Sequence, residues 1–246
     1  MTMADGDFSK QRQRAERILD AAAELVLRWG YKRVTIDEVA RRANIGKGTV
    51  YLHWKTREAL FLAVLARDSV RMVDGFIAAI REDPAEILLH RVMKRRLLLL
   101  KEFPLLQAMF TRDTEVLGNL VNESSARSLQ SQKFLATHAY CTLLRSHGLL
   151  RTDQDPETQM YALNAAVLGF YVIDPLLPPE ARRSVDERAE MAATLVRRAF
   201  EPPEPPDPEV LRALAPEVIG WFERMCADYM HFAQGNSTST RESPEE

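Results

Sequence analysis

Cysteine and glycine are both scarce in this sequence of 246 residues, which contains two Cys and ten Gly. Cys141 and Cys226 lie far apart, so the sequence has neither a disulfide framework nor a cysteine-rich metal site. Helix-forming residues dominate, and turn-forming residues are few. This composition argues against a β-sandwich or a β-barrel, and favours an all-α protein.

Long apolar runs are missing as well. No stretch of 18 uncharged apolar residues occurs, so we expect no membrane span and no membrane partner. The N-terminus has Asp5, Asp7 and several arginines where a signal peptide needs an apolar segment. We therefore expect a cytoplasmic protein.

Motifs for catalysis and for metal binding are also missing. The sequence has no P-loop, no glycine-rich dinucleotide turn, no His-Glu-x-x-His and no nucleophile elbow. Its five histidines are scattered without the spacing of metal ligands. We expect neither an enzyme nor a bound cofactor or metal ion.

Net charge is close to zero, but the charge is unevenly distributed. The chain has 33 Lys and Arg against 35 Asp and Glu. Residues 1–60 have 12 basic and 8 acidic side chains, so the remainder has 21 basic and 27 acidic ones. A basic N-terminal part on an acidic body suggests a polyanionic partner for the N-terminal part alone, although a solvated charged face would explain the asymmetry equally well.

The first helix of the N-terminal part is predicted by apolar periodicity. Between Gln11 and Trp29, apolar residues recur at steps of three and four, and Gly30 ends the pattern. Residues 1–9 are predicted to form a loose arm.

Two short helices follow this first helix. Thr35 and Glu38 have the spacing of a capping box, which predicts the start of the second helix. Asn44 tolerates the left-handed conformation that a tight turn needs. Gly46 can then cap a third helix over about 47–54.

Thr56 is predicted to cap a fourth helix, and further helices follow along the body. The polar stretch from Asn122 to Lys133 either faces water or conceals a helix break. Five prolines between 202 and 208 predict a stiff linker. The apolar face of the segment after it can pack on its own body or across a dimer, or can bind another protein. The predicted helices after the fourth cover 83–102, 104–112, 115–146, 156–173, 184–200 and 208–233.

The second and third helices form a helix-turn-helix pattern, whose second helix can lie in the DNA major groove. Gly48 permits close approach of the backbone, and hydroxyl groups and cations suit phosphate contacts. The alternative is a three-helix core without a DNA-binding role. The candidate DNA-binding residues are Thr35, Arg42, Lys47, Gly48, Thr49, Tyr51, His53, Lys55 and Thr56.

The segment from Val34 to Leu60 resembles the DNA-binding head of the TetR family of transcriptional regulators. The resemblance covers about residues 12–62 and rests on the Thr35 cap, Ala40, the run from Lys47 to Tyr51, Trp54, and the capped helix start from Thr56 to Leu60. Leu52 replaces a residue that is usually polar in the family, and Arg57 replaces a lysine.

This resemblance implies an all-α regulator with a three-helix helix-turn-helix head and a larger helical-bundle body. The partners that it implies are a double-stranded palindromic operator, a second copy of the chain and a small effector. We expect a repressor, with a regulator controlled by a protein partner as the alternative. The expected parts are a DNA-binding head at 10–57, an effector-binding and dimerisation body at 58–201, a Pro-linked extra C-terminal helix at 202–234, and a disordered tail at 235–246.

The effector is expected to be largely apolar, because the body is rich in Met, Phe and Leu. Such residues at helical spacing usually form the core, so the candidates rest on composition alone. Buried polar groups among them would orient a ligand. The candidate ligand-binding residues are Met72, Phe76, Phe110, Phe134, His138, Tyr161 and Asn164.

Overall fold

A computed structural model describes the backbone of residues 3–122 and 124–233, and the side chains of residues 10–120, 131 and 133–231. Every regular element in these ranges is helical, which confirms the predicted all-α class. The predicted tail at 235–246 lies outside the described residues. The arm predicted at 1–9 is not loose from residue 3 onward, because the first helix already begins at Met3.

The N-terminal head consists of three helices, and the local signals in the sequence define their ends. Gly30 ends the first helix with a positive φ of 74°, and Asn44 makes the inter-helix turn with a φ of 54°. The head contains α1 (Met3–Trp29), a 3₁₀ turn (Tyr31–Arg33), α2 (Ile36–Arg42) and α3 (Lys47–His53).

The body is built around α4, which begins directly after the head and is buried along most of its length. Helix α11 packs along α4, and α10 packs along α5. The body contains α4 (Arg57–Glu82), α5 (Leu89–Leu100), α6 (Pro104–Thr111), α7 (Thr114–Leu117), α8 (Ser124–Ser146), α9 (Pro156–Val172), α10 (Val185–Phe200) and α11 (Pro208–Ala233), together with 3₁₀ turns at Pro84–Ile87, Gly118–Asn122, Asp174–Leu176 and Pro179–Ala181.

The helix predicted at 83–102 is interrupted, because Leu88 adopts an extended conformation between the 3₁₀ turn and α5. Two long-range hydrogen bonds stabilise this break. The Tyr140 hydroxyl donates to the carbonyl oxygen of Ile87. The backbone N–H of His90 donates to the carboxylate of Glu201 at 2.8 Å, so a buried acid on a distant segment caps α5.

The helix predicted at 115–146 is also interrupted. Gly118 has a φ of 54° and ends α7, and a 3₁₀ turn then leads to α8. Lys32 of the head lies against this glycine, and a Cβ atom added there would stand 3.0 Å from the Lys32 Cγ. The break thus occurs where the body contacts the head.

The C-terminal helix packs on its own body, which is one of the alternatives left open by the sequence. Phe222 stacks on Phe76 of α4, with ring centroids 5.6 Å apart, and Trp221 stacks on Tyr140 of α8 at 5.5 Å. Beyond these rings, Arg81 of α4 forms a 3.1 Å ion pair with Glu223. This helix is therefore part of the body rather than an appendage.

Candidate nucleic-acid interface and ligand cavity

The start of α2 is a complete capping box. The backbone N–H of Thr35 donates to the Glu38 carboxylate at 2.8 Å, and the backbone N–H of Glu38 donates to the Thr35 hydroxyl oxygen at 3.3 Å. These hydrogen bonds lower the pKa of Glu38. Thr35 therefore has a structural role in the free protein, and its side chain remains exposed.

Helix α3 is anchored on one side and exposed on the other. Val50 and Trp54 are buried in the head, whereas Tyr51 and Leu52 are 39% and 77% exposed. Gly48 faces open space, since no atom lies within 4 Å of a Cβ atom built on it. The exposed side of α3 is thus a smooth surface that another backbone or a groove can approach closely.

Two of the predicted DNA-contacting cations are held in exposed ion pairs. Lys47 Nζ lies 2.7 Å from the carboxylate of Asp37, and Arg42 lies 2.5 Å from the carboxylate of Glu24. The hydrogen bond with Asp37 raises the pKa of Lys47. Exposed pairs contribute little to stability, so both cations can exchange their partners for phosphates at small cost.

The remaining predicted residues lie around the end of α3 and the start of α4. Lys55 Nζ donates to the carbonyl oxygen of Tyr51 at 3.3 Å, and the Thr56 hydroxyl oxygen accepts from Ala59 at 3.0 Å. His53 is half-buried against Trp54. Burial, together with the charge of Arg14, lowers the pKa of His53, so its ring is neutral at pH 7.

Arg57 has a structural role that the sequence did not reveal. Its guanidinium donates to the carbonyl oxygens of Tyr31 at 3.2 Å and Val34 at 3.0 Å. It also lies over the Tyr31 ring, 4.1 Å from the centroid. The first residue of α4 is thus fastened to the turn between α1 and α2.

The same turn touches the body. A Cβ atom added to Gly30 would lie 2.8 Å from the carbonyl oxygen of Glu115 in α7, so only glycine fits this approach. The Tyr31 ring also makes an edge contact with Phe61 of α4, with centroids 5.1 Å apart. The head therefore contacts the body both through α4 and through α7.

The body encloses a cavity of about 240 Å³. Of the predicted ligand-binding residues, Met72, Phe76, Phe110, Phe134 and Asn164 line it. His138 and Tyr161 do not, since His138 lies off the lining stripe of α8 and Tyr161 is 80% exposed one turn before Asn164. The lining also includes Val73, Val92, Met93, Arg96, Lys133, Ala136, Thr137, Tyr140, Val167, Leu168, Tyr171, Trp221, Phe222, Met225 and Tyr229.

Three polar groups in this cavity were missed by the sequence analysis. The Lys133 ammonium group, Nε of Arg96 and the Tyr171 hydroxyl are buried without a hydrogen-bond partner in the described part of the chain. Burial, together with the nearby charge of Arg96, lowers the pKa of Lys133 to about 7. Burial also raises the pKa of Tyr171. Lys133 ends the polar stretch noted in the sequence, but periodicity alone does not show that its side chain points inward.

Neither a metal site nor a membrane segment is found in the described ranges. No group of three or more His, Cys, Asp and Glu side chains within 10–120, 131 and 133–231 is placed to hold a metal ion. Of the helices in those same ranges, none combines the length and the apolarity needed to cross a bilayer.

The chain thus combines a helix-turn-helix head with an all-helical body that contains a cavity. Residues 18–64 match the family described as bacterial regulatory proteins, tetR family. This match confirms the resemblance seen in the sequence over the head and the start of α4.

Curated relatives match this chain over the N-terminal part. A 48-residue segment is 48% identical to the HTH-type transcriptional regulator YhgD of Bacillus subtilis and covers 20% of this chain and 25% of that protein. A 73-residue segment is 36% identical to the HTH-type transcriptional repressor KstR of Rhodococcus jostii and covers 29% of this chain and 34% of that protein. The chain thus matches about a quarter to a third of the length of these relatives.

The fold of the body is also found in solved structures. A transcriptional regulator from Saccharomonospora viridis in complex with choline superposes with a TM-score of 0.58, covering 78% of this chain and 99% of that one. Sequence identity is 20%, so this likeness concerns the fold alone. It confirms the predicted arrangement of a helix-turn-helix head on a helical body.

Proposed function

We propose that this chain is a transcriptional repressor that binds a palindromic DNA operator as a homodimer and is released by a small effector in the body cavity. The observation that carries the DNA-binding part is the exposed side of α3, where Gly48 presents bare backbone between Lys47 and Tyr51. The match of residues 18–64 to the tetR family supports it, as does the excess of basic residues in the head. The repressor role is supported by the similarity to KstR of R. jostii, a transcriptional repressor.

The homodimer is supported by apolar side chains left exposed on α9 and α10. Leu168 and Val172 of α9 are 44% and 38% exposed, and Met191 and Leu195 of α10 are 51% and 41% exposed. Contiguous exposed apolar surface is typical of an interface. In a dimer on DNA, the two heads must stand about 34–36 Å apart to enter successive major grooves.

Release by an effector follows from the contacts between head and body. Met72 and Phe76 of α4 and Phe110 of α6 line the cavity, and α4 begins directly after the head. A ligand that changes the packing of α4 or α6 therefore changes the tilt of the head. By linkage, such a ligand binds the free protein more tightly than the DNA-bound protein. The ratio of these two ligand affinities equals the factor by which the ligand lowers the affinity for DNA.

The DNA-binding proposal is tested by selecting DNA sequences with the purified chain and titrating the selected duplex at several salt concentrations. We expect log affinity to fall steeply and linearly with log salt concentration. The double variant Lys47→Ala/Tyr51→Ala should lose binding to all duplexes. The control Arg212→Ala, at an exposed position of α11, should bind like the wild type. Unchanged operator binding by the double variant would refute the proposal.

The dimer proposal is tested by sedimentation. Met191→Glu/Leu195→Glu should sediment as a monomer and lose operator affinity, because the two charges would be buried in the interface. Leu135→Glu, which changes an exposed apolar residue on α8, should leave the dimer intact. A dimeric double variant would show that the chain associates elsewhere.

A further inference from the structure

We propose that the cavity takes a carboxylic acid with an apolar body, and that Arg96, Lys133 and Tyr171 together hold its carboxylate. This inference rests on the proposed function only in naming the effector class. It adds a charged group to the largely apolar effector that was expected from composition alone.

Lys133 is the strongest indication of an anion. Its side chain is 9% exposed, and the ammonium group has no hydrogen-bond partner among the described residues. The ammonium group lies over two aromatic rings, with Nζ 5.2 Å from the Phe110 centroid and 5.6 Å from that of Tyr229. Burying an ammonium group away from any anion is unfavourable, so an anionic group placed beside Lys133 would be stabilised by it.

Arg96 and Tyr171 bring two further donors to the same place. Arg96 of α5 lies over the same Phe110 ring as Lys133, with its guanidinium carbon 4.3 Å from the ring centroid. Tyr171 of α9 stacks beside Phe110, with centroids 6.3 Å apart. The three side chains belong to three different helices, and each of them lies close to the Phe110 ring.

No acidic side chain of the described residues lines the cavity. The acid that acts electrostatically on Lys133 is Asp68 of α4, and its carboxylate already accepts two hydrogen bonds from Arg67 at 3.1 Å. Two basic side chains and a hydroxyl thus line the site without a carboxylate among the described lining residues. A carboxylate from outside would accept bonds from all three donors.

The remainder of the lining defines the rest of the ligand. Its members are mostly aromatic and aliphatic, from Met72 on α4 to Met225 on α11. An engineered cavity of about 150 Å³ holds benzene, so 240 Å³ accommodates about ten non-hydrogen atoms. A medium-chain fatty acid or an arylpropanoic acid has this size and this combination of charge and apolar surface.

The test compares acids with neutral molecules of the same shape on the full-length protein. Octanoate and 3-phenylpropanoate are titrated against 1-octanol and 3-phenylpropanol by calorimetry, with Trp221 fluorescence as a second signal. We expect each acid to bind about tenfold or more tightly than its alcohol. Equal or tighter binding of the alcohols, or no detectable binding of any acid at millimolar concentration, would overturn the proposal.

The variants separate charge recognition from packing. Lys133→Met and Arg96→Met should each reduce the preference for acid over alcohol to about twofold or less. Val167→Ala, which removes apolar lining, should weaken acid and alcohol alike and keep the preference. If Lys133→Met retains the full preference while folding normally, the cation does not hold the carboxylate and the assignment is wrong.

DNA binding is measured separately, so that the two proposals fail independently. Acid binding that depends on Lys133 but does not release operator DNA supports the site and contradicts effector control. Operator release by neutral compounds without any acid preference supports effector control and contradicts the site.

Discussion

Under the proposed function, the lack of a side chain at Gly48 contributes to DNA binding and not to folding. It occupies the second position of α3, where its backbone is helical and its surroundings are open. Alanine is favoured over glycine in a helix by about 0.5–1 kcal/mol, so folding alone would favour a replacement. In the proposed interface, a glycine at this position lets the DNA come close to the backbone of α3.

We expect Gly48→Ala to leave the free energy of unfolding unchanged or raised, and to weaken operator binding about tenfold or more by holding the backbone away from the duplex. Denaturant unfolding and DNA titration measure the two effects. Gly220→Ala on α11, whose added Cβ would make an ordinary contact, is the matched control and should not affect DNA binding. Wild-type operator affinity of Gly48→Ala would contradict the proposed interface.

Lys133 is a second residue whose role differs from a contribution to stability. Its pKa is lowered to about 7 in the folded chain, against 10.5 for an ordinary lysine. Asp68 on α4, Arg96 on α5 and Tyr229 on α11 are the titratable groups recorded around it. Between these two pKa values the unfolded chain binds more protons, so this residue makes stability rise with pH.

We therefore expect Lys133→Met to stabilise the ligand-free protein by about 1–3 kcal/mol near neutral pH and below, the usual cost of an unsatisfied buried group. The gain should shrink between about pH 7 and pH 10, as the wild-type amine loses its proton. Urea unfolding across this range measures it, with Lys101→Met, an exposed lysine, as the control. A gain that does not vary with pH would show that Lys133 is not buried as a charge.

The elements of the head were largely predictable from sequence, because their ends depend on local chemistry. The Thr35–Glu38 capping box and the left-handed turn at Asn44 each rely on neighbours within a few residues. The breaks at Leu88 and Gly118 were missed. The first depends on Tyr140 and Glu201, which lie far along the chain, and the second lies against the head.

The ligand cavity was harder to predict than the head for the same reason. Helical periodicity places Asn164 and Phe110 correctly on inward faces, but it does not show where a cavity ends, and Tyr161 lies outside it. Periodicity likewise gave no indication that Lys133 would point inward. Arg57 was noted in the sequence only as a replacement for a lysine, whereas in the structure its partners are backbone carbonyls 23 and 26 positions away.

At the level of elements, we expect Arg57→Lys to reduce the free energy of unfolding by about 1–2 kcal/mol. Lysine keeps the charge, but it lacks the planar guanidinium, which stacks on Tyr31 while its Nη1 donates to both carbonyls. Hydrogen exchange should show the loss at the turn between α1 and α2. Lys55→Arg, the reverse exchange at the neighbouring exposed position, should have no comparable effect. Wild-type protection in Arg57→Lys would mean that this link contributes nothing.

In the whole molecule, α11 packs against both α4 and α8 of the body. Phe222 is 4% exposed and packs against the rings of Phe76 and Tyr140, which belong to two different helices. The same helix completes the cavity wall with Trp221, Met225 and Tyr229. Stability and ligand binding therefore depend on the same terminal segment.

We expect Phe222→Ala to reduce the free energy of unfolding by about 3–5 kcal/mol, because a buried aromatic side chain is removed from two stacks. It should also weaken the binding of acids and alcohols alike. Thermal unfolding and calorimetry measure the two effects. Met230→Ala, at a position 43% exposed on the same helix, should change neither by a comparable amount. A small loss for Phe222→Ala would show that α11 packs only loosely.

The position of this helix in the chain has a consequence for biosynthesis. During translation the N-terminal parts of a chain fold first, so the head can form long before α11 leaves the ribosome. Until α11 is synthesised, Phe76 and Tyr140 lack their aromatic partners. The nascent body then exposes the apolar surface that α11 covers in the folded chain. A polypeptide that stalls or is cleaved after the proline linker would thus be a target for chaperones and proteases, because its cavity lacks the wall that α11 contributes.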